Sequence, residues 1–141
     1  MHLGAEFAHH GAFGQWPSLT QYNGHQYIGP VPMTEPAFFV LMALAGRPLH
    51  GYAIVGEAEE LSEGRVKLKI GSLYGILDRL VAEGQVEVDR EEPHSGRLRR
   101  YYRVTDVGMQ ALRAEASRQA ANVRLAKRRI RAIQLHWRSA S

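Results

Sequence analysis

The sequence predicts a mainly α-helical chain with a small β-wing: a winged helix-turn-helix followed by a long C-terminal dimerisation helix. Three observations carry that prediction. Apolar residues recur at helical spacing in three short segments between residues 34 and 84. Two segments of alternating apolar and polar residues follow, joined by a stretch containing Pro93, Ser95 and Gly96. From Met109 a seam repeats at intervals of 3 and 4 residues, with one polar member at Gln119.

The first helix reads from "TEPAFFVLMALAG". Thr34 suits the N-cap and Pro36 is tolerated in the first turn. Phe38, Val40, Leu41, Leu44 and Ala45 leave it apolar nearly all round, so it should be buried. Gly46 and Pro48 end it. The second helix lies in "LHGYAIVGEAEELSEG". Ile54, Val55, Ala58 and Leu61 form its core stripe, Glu57, Glu59, Glu60 and Glu63 face water, and Gly64 stops it. "RVKLK", residues 65–69, alternates and is expected to be a short strand.

The third helix, "KIGSLYGILDRLVAEG", sets Leu73, Ile76, Leu77, Leu80 and Val81 on one stripe. Its other side carries Gly71, Gly75 and Ala82, although each interior glycine costs about 1 kcal/mol relative to alanine. "QVEVDR" and "RLRRYYRVT" make a hairpin whose tip and return strand hold Arg97, Arg99, Arg100 and Arg103. Thr105 and Asp106 cap a helix running to about residue 135, roughly 45 Å at 1.5 Å per residue. Its seam is Met109, Leu112, Ala116, Gln119, Val123, Ala126, Ile130, Ile133 and Trp137. Such a helix outruns the small domain before it, and a second copy of the chain is the simplest cover for Leu112, Ala116, Val123, Ala126, Ile130 and Ile133.

Three regions follow from these elements: an irregular extension over residues 1–32, a winged helix-turn-helix over 33–105 and a dimerisation helix over 106–138. The extension is rich in Gly, His, Gln and aromatics and shows no periodicity, and Met33 is a second plausible start. His9, His10 and His25 have no helix to fix their geometry and no acidic neighbour, so no metal site is expected.

The chain of 141 residues has no cysteine, which excludes disulfides, thiolate zinc sites and cysteine nucleophiles and fits a reducing, cytoplasmic setting. It shows no secretory leader and no apolar run of transmembrane length. The net charge of +4 is unevenly placed. Residues 33–96 hold 6 basic and 11 acidic side chains, a net of −5, whereas residues 97–141 hold 12 and 2, a net of +10. That asymmetry points to a polyanionic partner met by one part of the chain.

In a helix-turn-helix the second helix of the pair lies in the major groove of double-stranded DNA. A bare face at Gly71 and Gly75 allows close approach to a ligand. Close packing against another helix of the same chain is the other reading of those glycines. Ser72 and Tyr74 flank the face with hydroxyls, Lys69 stands at its entrance and Arg79 one turn later. Four arginines interleaved with Tyr101 and Tyr102 suit a wing lying along phosphates or probing a minor groove.

The spaced motifs His50-Gly51-Tyr52, Ser72-Leu73-Tyr74, Arg79-Leu80, Glu83-Gly84, Gly96-Arg97, Arg100-Tyr101-Tyr102 and Thr105 with Gly108 resemble the PadR family of bacterial transcriptional regulators, over about residues 34–130. The resemblance implies a homodimeric repressor of an inverted-repeat operator that releases DNA on binding a small effector, an aromatic compound in some short members. It implies DNA contacts from Tyr52, Ser72 and Tyr74 of the helix-turn-helix and from Arg97, Arg99 and Arg100 of the wing. The chain departs from the family at Gly75, where proline is usual, and at Gln85, usually apolar. Gln119 stands near the place of a tryptophan that lines the effector cavity in some short members.

The rival expectation is a winged-helix protein–protein adaptor that binds no DNA, since fold does not settle function. No enzyme and no cofactor are expected, because the chain has no Gly-rich phosphate loop and no His-Glu spacing for zinc. A membrane-surface role for the basic last helix suits its narrow apolar seam less well than a coiled partner does.

Overall fold

The computed structural model describes residues 33–141, together with the backbone of two short strands, β1 (Gln21–Tyr22) and β2 (His25–Gln26), which pair antiparallel. The other expectations for residues 1–32, including those for His9, His10 and the His25 side chain, lie outside the described residues. The chain divides into two units, Met1–Met33 and Thr34–Ser141, and the second carries everything below.

Helix α1 (Glu35–Gly46) opens on Thr34, whose Oγ1 accepts the Ala37 N–H at 3.3 Å. Phe39, Val40, Leu41, Ala43 and Leu44 are buried, as an apolar helix demands. After it come β3 (Leu49–His50), α2 (Gly51–Leu61), α3 (Ile70–Ala82), β4 (Val86–His94), β5 (Arg97–Val104) and α4 (Asp106–Ala140). The three strands form one antiparallel sheet in the order β3-β5-β4. Tyr102 is buried at its centre, opposite Leu49 on one side and Val88 on the other. Leu41, Leu44, Ile54, Leu73, Leu77 and Val86 are fully buried, so α1, both helices of the helix-turn-helix and the root of the wing share one core.

The expected strand over residues 65–69 is absent. Val66 is buried and Leu68 half-buried, and both pack on the Phe39–Ala58 cluster as the chain crosses between α2 and α3. Ser62 pins that crossing. Its buried Oγ donates to the Glu59 carbonyl at 3.0 Å and accepts the Val66 N–H at 2.8 Å. The third strand of the sheet is Leu49–His50 instead. The hairpin also differs from expectation: residues 91–94 belong to β4, and only Ser95 and Gly96 form the turn. Both have positive φ, 51° and 78°, as a two-residue type I′ turn requires. A bulge lies between Val88 and Arg90.

The end of α3 and the start of α4 are built into each other. Gly84 at φ 74° closes α3: the Gln85 N–H reaches the Leu80 carbonyl at 2.9 Å and the Gly84 N–H the Val81 carbonyl at 3.0 Å, the two bonds of a Schellman motif. Thr105 then donates its hydroxyl to the Gly84 carbonyl at 2.6 Å and its backbone N–H to the Gln85 carbonyl at 3.0 Å. The same hydroxyl caps α4 by accepting the Gly108 N–H at 3.1 Å. A Cβ on Gly108 would lie 2.1 Å from the Gln85 carbonyl oxygen and 2.7 Å from Val104 Cγ2. Only glycine allows this approach.

Helix α4 has 35 residues, about 52 Å at 1.5 Å per residue, and runs past the expected end to Ala140. Its first turns pack on α1 and the sheet, with Met109 and Leu112 half-buried. Glu115 is buried, bonded by Arg118 and by Gln119 Nε2 at 3.1 Å. From Asn122 onward every residue is exposed. Among the described residues no helix is long and apolar enough to cross a membrane.

Gly108→Ala is expected to cost about 3 kcal/mol through overpacking against backbone that cannot yield. Ser62→Ala should cost about 1–3 kcal/mol by stranding the buried Val66 N–H. Urea titration of both variants checks the two values, and a wild-type midpoint for either refutes the contact it tests.

Candidate nucleic-acid interface

Helix α3 turns Leu73, Leu77 and Leu80 into the core, which fixes what it shows outside. Gly71, Ser72, Gly75, Asp78, Arg79 and Ala82 are all exposed. A Cβ at Gly71 or Gly75 would meet nothing within 4 Å. The glycines therefore serve no packing among the described residues, and the second reading of them finds no support there. Beside this face lies an open cleft of about 300 Å³, lined by the cap residue Thr34 and Ala37 of α1 and by Ser72, Gly75, Ile76, Arg79 and Leu80 of α3. Arg79 reaches Glu83 only at 3.9 Å and keeps 64% of its side chain exposed.

The first turn of α3 meets the first turn of α2. A Cβ on Gly51 would stand 3.0 Å from the Tyr74 hydroxyl, so the absence of a side chain there lets Tyr74 lie across the α2 N-terminus. Tyr74 stays 44% exposed and Tyr52, next along α2, 73% exposed. Lys69 and Ser72 are exposed beside them. The structure thus gathers Tyr52, Lys69, Ser72 and Tyr74 around the junction of the two helices.

The wing is less basic than its arginines suggest. Strand β4 supplies a carboxylate for several of them. Arg100 bonds Glu91 at 3.2 Å and Arg103 bonds Glu87 at 2.7 Å, both across the ladder. Arg90 is held by Asp89 at 2.8 Å and Glu92 at 2.7 Å, and its guanidinium lies 3.9 Å from the centre of the Tyr101 ring. Arg97 and Arg99 make no ion pair among the described residues; Arg97 is exposed at the tip and Arg99 half-buried. Alternation along β5 sets Arg97, Arg99 and Tyr101 on one face and Arg100 with buried Tyr102 on the other. The available cations are therefore those nearest the turn.

His50 joins the two parts of the site, a role that the sequence reading missed. It is the N-cap of α2: its Nδ1 accepts the Ala53 N–H at 3.4 Å. Its ring meets Tyr101 of β5 edge to face, 5.5 Å apart at 89°. Partial burial, then the charges of Arg99 and His94, hold its pKa below the ordinary histidine value. The cap needs an unprotonated Nδ1, so the hydrogen bond and the lowered pKa agree. The signal in the sequence was a polar residue directly before Gly51 at a helix start. Among the described residues no group of three His, Asp or Glu side chains is arranged to hold a metal ion.

A family model described as the transcriptional regulator PadR-like family matches residues 40–114. A 37.1 kDa protein of transposon Tn4556 from Streptomyces fradiae is 44% identical over 82 residues, 58% of this chain. The chain spans only 22% of that relative's length. Among solved structures, a transcriptional regulator from Clostridium thermocellum superposes with a TM-score of 0.58 at 18% identity, covering 66% of this chain and 87% of that one. A PadR family regulator from Clostridium difficile gives 0.57 at 20% identity, covering 69% and 99%. At these identities the likeness is one of fold. Bacillus subtilis PadR, solved in complex with operator DNA, gives 0.53 at 26% identity, covering 60% of this chain and 47% of that one.

Two outcomes follow from the site's geometry. A lowered His50 pKa means the unfolded chain takes up a proton that the folded one resists. The stability contributed is then complete above about pH 6.5, the unfolded value, and falls as pH drops through the lower folded value. His50→Asn keeps a capping side chain and should flatten this part of the pH–stability curve. Equal slopes for the two proteins would refute it. Gly75→Ala should raise stability by about 1 kcal/mol, since the added methyl meets no neighbour. A loss of stability would show that Gly75 has a structural duty.

Proposed function

The chain belongs to the PadR-like family of transcriptional regulators, and from that membership we propose that it is a sequence-specific DNA-binding repressor acting as a homodimer. The observation that carries the proposal is the face of α3 at Gly71 and Gly75, where an added Cβ would meet no atom of the described residues and where each glycine costs helix stability. Operator DNA bound to the Bacillus subtilis relative supports the same partner here.

In this reading residues 33–105 read DNA and residues 106–138 pair the copies. Helix α3 enters the major groove, with Ser72 and Tyr74 at base edges or phosphates and Tyr52 and Lys69 on the flanking backbone. Arg97 and Arg99 at the wing tip reach the next phosphates. Arg100 joins them only by leaving Glu91. The dimer is supported by the later half of α4, where Val123 is 51%, Ile130 54% and Trp137 69% exposed along one seam. Ile133 is 38% exposed on the same seam, Ala126 is exposed between them, and Ala116 and half-buried Leu112 extend it toward the core. Two such helices packed together hold the α3 helices about one DNA turn apart, roughly 34 Å, matching an inverted repeat. A small effector lodged between the paired helices relieves repression by favouring a spacing that no longer fits adjacent grooves.

Selection of bound duplexes from a random pool should return an inverted repeat, and sedimentation should show a dimer at micromolar concentration. In mobility-shift titrations Arg97→Ala should weaken all duplexes alike, whereas Ser72→Ala and Tyr74→Phe should change sequence preference. Gly75→Ala should lose affinity for the selected duplex while gaining stability. A chain that retains protein partners yet ignores every duplex at low salt would instead be the adaptor.

A further inference from the structure

The proposed reading leaves the outer side of α4 without a task. Between Asn122 and Ser141 the helix carries Arg124, Lys127, Arg128, Arg129, Arg131 and Arg138 and no acidic side chain. All six are exposed, and none has an ion pair among the described residues. Like charges at three- and four-residue spacing, as in Arg124 with Lys127 and Arg128 and Lys127 with Arg131, repel one another and destabilise a free helix. At about 100° per residue, Arg124, Arg128, Arg131 and Arg138 align in one stripe about 21 Å long. That stripe lies roughly 135° round the helix from the seam of Val123, Ala126, Ile130, Ile133 and Trp137.

We propose that this stripe is a second contact for duplex DNA, laid on phosphates outside the segment held by α3 and the wing. The inference rests on the DNA-binding reading above. Its placement opposite the seam lets one helix pair with its copy and present cations outward at the same time. A membrane surface is disfavoured on another ground: the narrow apolar seam that would have to enter the lipid is the one that the proposed dimer covers. Guanidinium groups suit phosphate oxygens, which they bind in pairs. Duplex DNA offers a charge every 1.7 Å or so along its axis, so a plain stripe without a pocket finds partners in any register.

The test compares the wild-type chain with a variant carrying Arg124→Gln, Arg128→Gln, Arg131→Gln and Arg138→Gln, and with the matching set of Arg→Lys changes. Each is titrated at several salt concentrations against the selected duplex, trimmed to its operator or extended by about two helical turns on each side. The Gln variant is expected to bind the extended duplex roughly ten-fold or more weakly, with a log–log salt slope shallower by about 3 to 4 per chain. It should match the wild type on the trimmed duplex and in sedimentation, and the Lys variant should keep the wild-type slope. Identical slopes for wild type and Gln variant on the extended duplex overturn the stripe alone. Wild-type protein that binds neither duplex overturns the DNA-binding reading with it. Binding to phosphatidylserine vesicles that the Gln changes abolish, with unchanged duplex slopes, assigns the stripe to membrane instead.

Discussion

One threonine fixes the angle between α3 and α4. The Thr105 hydroxyl bonds the Gly84 carbonyl at 2.6 Å while capping α4 through the Gly108 N–H, and its backbone N–H bonds the Gln85 carbonyl. The two carbonyls belong to the Schellman turn that ends α3. The missing side chain of Gly108 lets the two helix ends touch backbone to backbone. Backbone contacts leave little room to pivot, unlike contacts through long side chains. A rotation at the start of α4 is therefore carried into α3. In the proposed dimer the spacing of the two α3 helices thus becomes a property of how the long helices pair, which is the coupling that the proposed effector control needs.

The wing shows a second economy. Its return strand holds four arginines, yet β4 opposite carries Glu87, Asp89, Glu91 and Glu92. The pairs with Arg100 and Arg103 are solvent-exposed and worth at most about 1 kcal/mol each. Their larger effect is on charge: they neutralise the root of the hairpin and leave Arg97 and Arg99 as the cations on offer near its turn. A phosphate approaching the wing therefore meets attraction at the tip. His50 ties this hairpin to the helix-turn-helix, through its Tyr101 contact on one side and its α2 cap on the other.

Most of the architecture was legible in the residues because its periodicities are long and clean. Helix α1, the Leu73–Leu77–Leu80 stripe and the alternating hairpin each follow from several residues that agree. What misled was brief. Residues 65–69 alternate as a strand does, but Val66 and Leu68 point inward to close the helix-turn-helix corner, held by Ser62 and not by a neighbouring strand. The actual third strand, Leu49–His50, is two residues long and carries no pattern at all. The Glu91–Arg100 pair was computable from a two-residue turn at Ser95 and Gly96. The Glu87–Arg103 pair was not, because the bulge near Asp89 shifts the register by one. Exposure of Tyr52, Ser72 and Tyr74 followed from the helix stripe, whereas the approach of Tyr74 to Gly51 depends on how α2 crosses α3 and has no linear signature.

The two helices of interest break local rules in opposite ways. Helix α3 gives up side chains at Gly71 and Gly75 and thereby loses helix propensity. The outer half of α4 keeps every side chain but crowds like charges, which also weakens a helix. Neither fault is repaired among the described residues: a Cβ at either glycine would meet nothing within 4 Å, and no carboxylate pairs with the arginines of the tail. Sequences that specify a fold are consistent across levels, and departures collect where something outside the chain completes them. Duplex DNA, the partner proposed for both surfaces, would relieve both faults. Duplex DNA brings a surface that needs a close backbone approach at α3 and a dense line of negative charge along α4.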